Sequence, residues 1–206
     1  MGGTCRWNFW NAICRKLNNV SVSSIDDKQN TLIETERLWL RKITLEDQEE
    51  LFELHSDPEV QKYTGEPVLE SMEEIVKSIA GRIKDYNEVG FGRLAVIIKA
   101  TNEFIGWAGL TYLPEFDEVD LGYRFKKEFW GKGFATEASK AILEYGFNEL
   151  GLEKIVAIAI PEHKASIKVM QKAGMKFYKH APYEEGSEDA IWYQIDKTAY
   201  DKAQRK

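Results

Sequence analysis

Six consecutive residues, Gly131-Lys132-Gly133-Phe134-Ala135-Thr136, have the composition of a phosphate cradle. Glycine lets backbone N–H groups come close to a ligand, and a helix starting just beyond it adds unpaired donors and the positive end of its dipole. A helix is expected there because Ala138, Ala141, Ile142 and Tyr145 recur at helical spacing. Upstream, Val119, Leu121, Tyr123 and Phe125 alternate with Asp120, Gly122 and Arg124, the period of a half-buried strand with one charged face. The blander use of such a turn is simply to end a strand. Two familiar phosphate loops are excluded: Lys132 is followed by Gly133 rather than by Ser or Thr, so there is no Walker A loop, and the spacing Gly-x-Gly-x-x-Gly is absent.

Trp130-Gly131-Lys132-Gly133-Phe134-Ala135 resembles the pyrophosphate loop of the GCN5-related N-acetyltransferase (GNAT) family, Gln/Arg-x-x-Gly-x-Gly/Ala. Trp130 departs from the usual Gln or Arg, and the longer string through Thr136-Glu137-Ala138 is similar to the ribosomal-protein alanine N-acetyltransferase (RimJ/RimL) branch. Glu34-Thr-Glu-Arg-Leu-Trp-Leu-Arg41 and Asp57-Pro58-Glu59-Val60 with Tyr63 resemble the opening of the same domains. The resemblance implies an α/β (α+β) GNAT fold: a central mixed, mostly antiparallel sheet of about seven strands, flanking helices, and splayed fourth and fifth strands. It also implies acetyl-CoA as cosubstrate, no metal, and acetyl transfer to a primary amine, either a small molecule or a protein N-terminus.

A thioester and an amine react without a metal once the amine is neutral, the carbonyl is polarised and the thiolate can leave, so positioning carries most of the catalysis. The resemblance assigns the diphosphate to the main chain of Gly131, Lys132, Gly133, Phe134, Ala135 and Thr136. It assigns the pantetheine arm and acetyl oxygen to the strand ending at Phe125, with a backbone donor as a one-group oxyanion hole. Asp120, in Asp120-Leu121-Gly122-Tyr123, matches the acidic position that draws the amine proton through water, and Glu118 on the same face is the reserve base. His163 stands where the family has Asn and bonds a pantetheine amide in this reading; its bland role is that of an exposed helix-start residue that touches no ligand. Met170 stands where many members carry the tyrosine that protonates the thiolate, which leaves Ser166 as the substitute donor; its bland role is to bond nearby helix backbone. These departures support a rival reading, a non-catalytic acyl-CoA sensor or adaptor.

The elements that must position these residues follow from pattern. Arg37 to Ile43 reads as a first strand, Thr44 caps a helix from Leu45 to His55, and Ser71 to Tyr86 reads as a second helix. Phe91 to Ala100, Glu103 to Tyr112 and Glu118 to Phe125 form an antiparallel meander. A helix from Thr136 to Leu150, a buried strand from Lys154 to Ile160, a helix from His163 to Ala173 and a hairpin of Met175 to Tyr183 and Ala190 to Ile195 complete the order. The acceptor pocket is expected to draw on Gln61 to Val68 and Ala181 to Asp189.

The chain therefore divides into an extension at 1–33, a domain at 34–196 and a charged tail at 197–206. Within the extension, Trp7, Phe9, Trp10, Ile13 and Leu17 lie near one helical face, an amphipathic helix followed by a linker. With 206 residues, 43% apolar and 30% charged, the composition is that of one soluble globular domain. A net charge of −6 gives no reason to expect nucleic acid and suits a cationic acceptor. Both cysteines fall within the first fifteen residues and the longest apolar run, Ile155 to Ile160, is far short of a membrane span, so a cytoplasmic protein without an integral membrane segment is expected; a homodimer is allowed.

Overall fold

The computed structural model describes residues 30–183 and 189–205. The expected N-terminal amphipathic helix and part of the Ala181 to Asp189 segment lie outside them. Eight strands form one sheet in the order β1-β2-β3-β4-β5-β6-β8-β7. They are β1 (Thr31–Glu34), β2 (Leu38–Lys42), β3 (Arg93–Ile98), β4 (Glu103–Leu113), β5 (Glu118–Phe125), β6 (Lys154–Ala159), β7 (Lys176–Pro182) and β8 (Asp189–Asp196). All neighbours are antiparallel except β5 and β6, which run parallel.

Alternation along the strands sends successive side chains into two different cores. Ala95, Ile97 and Trp107 join Leu51, Leu54, Ile75 and Ile79 on one face, under α1 (Gln48–Ser56), α2 (Pro58–Gln61) and α3 (Met72–Glu88). Leu94, Val96, Ala108 and Leu110 join Ala138, Ile142 and Phe147 on the other, under α4 (Phe134–Asn148), with Met170 of α5 (Lys164–Lys172) and Tyr200 of α6 (Lys197–Gln204). Each fully buried Leu or Ile contributes roughly 1.5–3 kcal/mol, so the register that places Leu38 and Leu40 at 0% exposure is strongly specified. The cap expected at Thr44 is present, and a second one, not read from the sequence, starts α3. Thr44 N–H donates to Asp47 at 2.8 Å, and Ser71 and Glu74 form a capping box on α3.

Two boundaries differ from the pattern reading. The sheet has an eighth strand because Thr31–Glu34 pairs with β2, burying Ile33; four residues with an irregular register carry no readable period. Residues 197–204 are a helix rather than a bare tail. Asp196 caps it by accepting from Ala199 N–H at 2.7 Å, and buried Tyr200 packs on Phe147 with ring centroids 5.0 Å apart. One aromatic anchor in eight residues is too sparse for a periodicity argument. Among the described residues no helix is long and apolar enough to cross a membrane.

Candidate active site

β5 pairs with β4 along its whole length but with β6 only at Asp120↔Val156. Beyond that point the two parallel strands part, leaving the β6-facing edge of Leu121 to Phe125 without a ladder partner among the described strands. Asp120 sits at the vertex of this fork and Glu118 on its closed side, where Lys154 Nζ meets Glu118 Oε1 at 2.5 Å. Phe125, buried at the open end, accepts on its carbonyl from Trp130 Nε1 at 2.8 Å.

The chain then turns through the glycines. Gly131 and Gly133 have φ of 73° and 86°, a region that favours glycine, and a Cβ at Gly131 would meet nothing within 4 Å. α4 begins at Phe134 with no side-chain cap at Gly133, and Glu137 N–H is the one that reaches back to the Gly133 carbonyl. The preceding N–H groups of Phe134, Ala135 and Thr136 are the orphan donors of the first turn, facing an open, exposed cradle with Lys132 beside it. A diphosphate fits this arrangement in charge and in space.

An unforeseen residue holds the turn in place. Arg37 donates from Nη1 to the Lys132 carbonyl at 3.0 Å and from Nε to Glu137 at 2.6 Å, and its guanidinium lies 4.4 Å from the Phe134 ring centroid. Burial alone would raise the Glu137 carboxyl, but the Thr35 hydroxyl and the Arg37 N–H groups hold it below the ordinary range. Arg37 was legible only as part of a family-like string, since its partners lie about a hundred residues away.

Asp120 is 7% exposed and paired with Arg93 Nη2 at 2.7 Å. Arg93 also donates to the Gly109 carbonyl at 2.6 Å, and its guanidinium covers Gly122, where any Cβ would come within 2.9 Å of it. Burial pushes the Asp120 carboxyl above the ordinary aspartate range, against the pull of the Arg93 charge and the Ile158 N–H. A carboxylate raised toward neutral pH is a better proton acceptor than a solvated one.

Across the fork, Ser166 is buried beside the Tyr123 hydroxyl; burial raises that phenol above its ordinary range, against the opposing pull of the Ser166 side chain. In the sequence Tyr123 is a half-buried strand position and the last residue of the family-like Asp120-Leu121-Gly122-Tyr123 string, with no role of its own. Met170 lies in the core at 4% exposure, so no side chain there can donate a proton. His163 precedes α5 without capping it and stacks on Tyr63, with centroids 4.8 Å apart. Burial lowers its pKa. It thus bridges the β6–α5 turn to the α2–α3 segment, a placement the sequence reading lacked.

The sequence matches the acetyltransferase (GNAT) domain over residues 37–176. The chain belongs to the GNAT family. N-acetyltransferase p20 of Bacillus licheniformis is 37% identical over 148 residues, covering 68% of this chain and 83% of that protein. A GNAT-family acetyltransferase structure from Bacillus anthracis aligns with a TM-score of 0.69 at 30% identity, covering 81% of this chain and 98% of the other. A RimL ribosomal alpha-N-protein acetyltransferase in complex with coenzyme A shares the fold, with a TM-score of 0.66 at 21% identity over 80% and 97% of the two chains. This GNAT protein is accordingly an N-acetyltransferase, and its eight-stranded mixed sheet is the GNAT fold.

Proposed function

We propose that this acetyltransferase takes acetyl from acetyl-CoA and passes it by direct attack to a primary amine, a small molecule or a protein N-terminus, in the manner of the RimJ/RimL branch. The observation that carries the reading is the continuity of one strand: β5 has Asp120 at the fork vertex, Phe125 at its open end, and the Gly131–Thr136 cradle immediately after. The main chain of Gly131 to Thr136, with Lys132, holds the diphosphate; the unpaired edge of β5 to Phe125 holds the pantetheine arm, assisted by His163 and Ser166. Acetyl-CoA supplies the activated acyl group as a thioester.

In this reading Asp120 receives the amine proton through a water, and the nitrogen forms its bond to the acyl carbon as the carbon–sulfur bond breaks. The Ser166 and Tyr123 hydroxyls, side by side across the fork, give the departing thiolate its proton in place of the tyrosine lost at Met170. Glu118, on the closed side and engaged by Lys154, is the less well placed candidate. The test is a screen of primary amines with acetyl-CoA, reading free thiol and acetylated amine together. Equal yields of the two are expected; thiol release without acetylated amine, or no binding of CoA, would overturn the proposal.

A further inference from the structure

Three guanidiniums converge on one indole. Arg82 of α3, Arg93 of β3 and Arg124 of β5 lie 4.9, 5.1 and 5.1 Å from the Trp107 ring centroid. Arg93 is committed to Asp120 and to the Gly109 carbonyl. Arg124, 7% exposed, shares Nη1 between His55 Nδ1 and Glu66 Oε2, each at 2.9 Å, while its Nε is buried with no acceptor. Arg82 makes no hydrogen bond or ion pair among the described residues. Among the described residues only Asp120 and Glu66 pair with these three positive charges, and His55 stays neutral because burial, then Arg124 and Arg82, lower its pKa to about 3.

This charge balance costs the fold stability, since Arg82 is half-buried without a paired anion and taking an unpaired charge out of water is unfavourable. The strain shows in the groups themselves: burial, then the Arg93 charge, lowers the Arg82 pKa to about 10, and burial lowers Arg124. Apolar side chains would fill the same volume without that cost. Glu66, the counterion of Arg124, is a surface carboxylate 59% exposed on the segment between α2 and α3. Asp120 and Arg124 share one face of β5, four residues or about 13 Å apart along the strand, and the fork opens from the first toward the second.

We propose that Arg82 and Arg124, stacked on Trp107, bind an anionic group, carboxylate or phosphate, carried by the amine acceptor, and that Glu66 occupies this place until the acceptor arrives. This rests on the acetyltransfer reading above and names its substrate class. The chain's negative net charge suits a cationic acceptor, but the field at this end of the fork is the opposite and disfavours polyamines. Charge-assisted hydrogen bonds are worth about 1.5–3 kcal/mol each, so an anionic end group gains about tenfold or more over a neutral one.

Four amines with the same three-carbon spacer decide it: gamma-aminobutyrate, aminopropyl phosphate, aminopropanol and diaminopropane. In CoA-saturated protein, which blocks the diphosphate cradle, an anionic member or inorganic phosphate should raise the melting temperature. The neutral and dicationic members should not. In turnover, kcat/KM should favour an anionic member by about tenfold or more, with the carboxylate and phosphate arms showing which anion is preferred. Arg82→Met should abolish both effects, and Arg82→Lys should restore part of them. No shift from any anion, an equal shift in Arg82→Met, or a preference for diaminopropane would overturn the proposal. Acetylation of amines without anion preference would leave the acetyltransfer reading standing and sink this one; anion binding with no amine acetylated would sink the acetyltransfer reading, and with it the acceptor role of the arginines, leaving an anion site alone.

Discussion

Replacing Asp120 with asparagine perturbs two things at once, and the structure separates them. The amide still accepts from Arg93, but the guanidinium loses its countercharge at 2.7 Å in a site 7% exposed. Breaking a buried pair costs about 3–5 kcal/mol; with the hydrogen bond retained, the lower end applies, a fall in Tm of roughly 6–12 °C for a chain this size. Catalysis is affected separately, because loss of a general base is worth about 10²–10⁴-fold in rate. Wild-type turnover should rise with pH through the elevated Asp120 pKa, and the variant should lack that limb. As pH approaches the pKa of the acceptor amine, more amine arrives neutral and the variant should recover. CoA affinity should not change, since the main chain of β5 and the glycine turn are untouched. The assay is kcat against pH for Asp120→Asn and Glu118→Gln, well below both melting temperatures, with CoA binding measured by calorimetry. A wild-type profile for folded Asp120→Asn with a depressed one for Glu118→Gln would transfer the role to Glu118, and two unaffected profiles would give the proton to water.

Gly133→Val should weaken CoA binding about tenfold or more in calorimetry, because a β-branched residue at φ 86° costs about 1–3 kcal/mol of backbone strain and puts methyls in the cradle; unchanged affinity in a folded variant would remove the cradle from consideration. His55 gives a pH test of stability. Below about pH 6.5 the unfolded chain binds a proton there and the folded chain does not until about pH 3, so stability should fall by about 1.4 kcal/mol per unit as pH drops through that window. His55→Gln, which cannot titrate, should lack this slope in denaturant unfolding; parallel curves for the two proteins would refute the assignment.

What could be read from the sequence was whatever depends on neighbours along the chain. The glycine turn, the charged face of Asp120, Gly122 and Arg124, and the cap at Thr44 are local, so residue type and spacing reveal them. Strand Thr31–Glu34 and helix Lys197–Gln204 escaped because each is held by a single buried apolar anchor, Ile33 or Tyr200, rather than by a periodic face. Arg37 and Glu137, the hydroxyl pair of Tyr123 and Ser166, and the His163–Tyr63 stack are products of sheet register and helix docking, which no spacing rule encodes.

The arginines carry the same point into function. Arg82, Arg93 and Arg124 sit on three different elements, and in sequence each is an ordinary cation within a chain of net charge −6. Strand register sets Arg93 opposite Gly109 and Arg124 opposite Trp107, and α3 lays Arg82 over the same indole. The local field is therefore opposite in sign to the net charge. A buried site senses nearby unscreened charges far more than a distant surface excess, which salt screens within about 10 Å, so the acceptor preference proposed above follows from the three guanidiniums rather than from the isoelectric point.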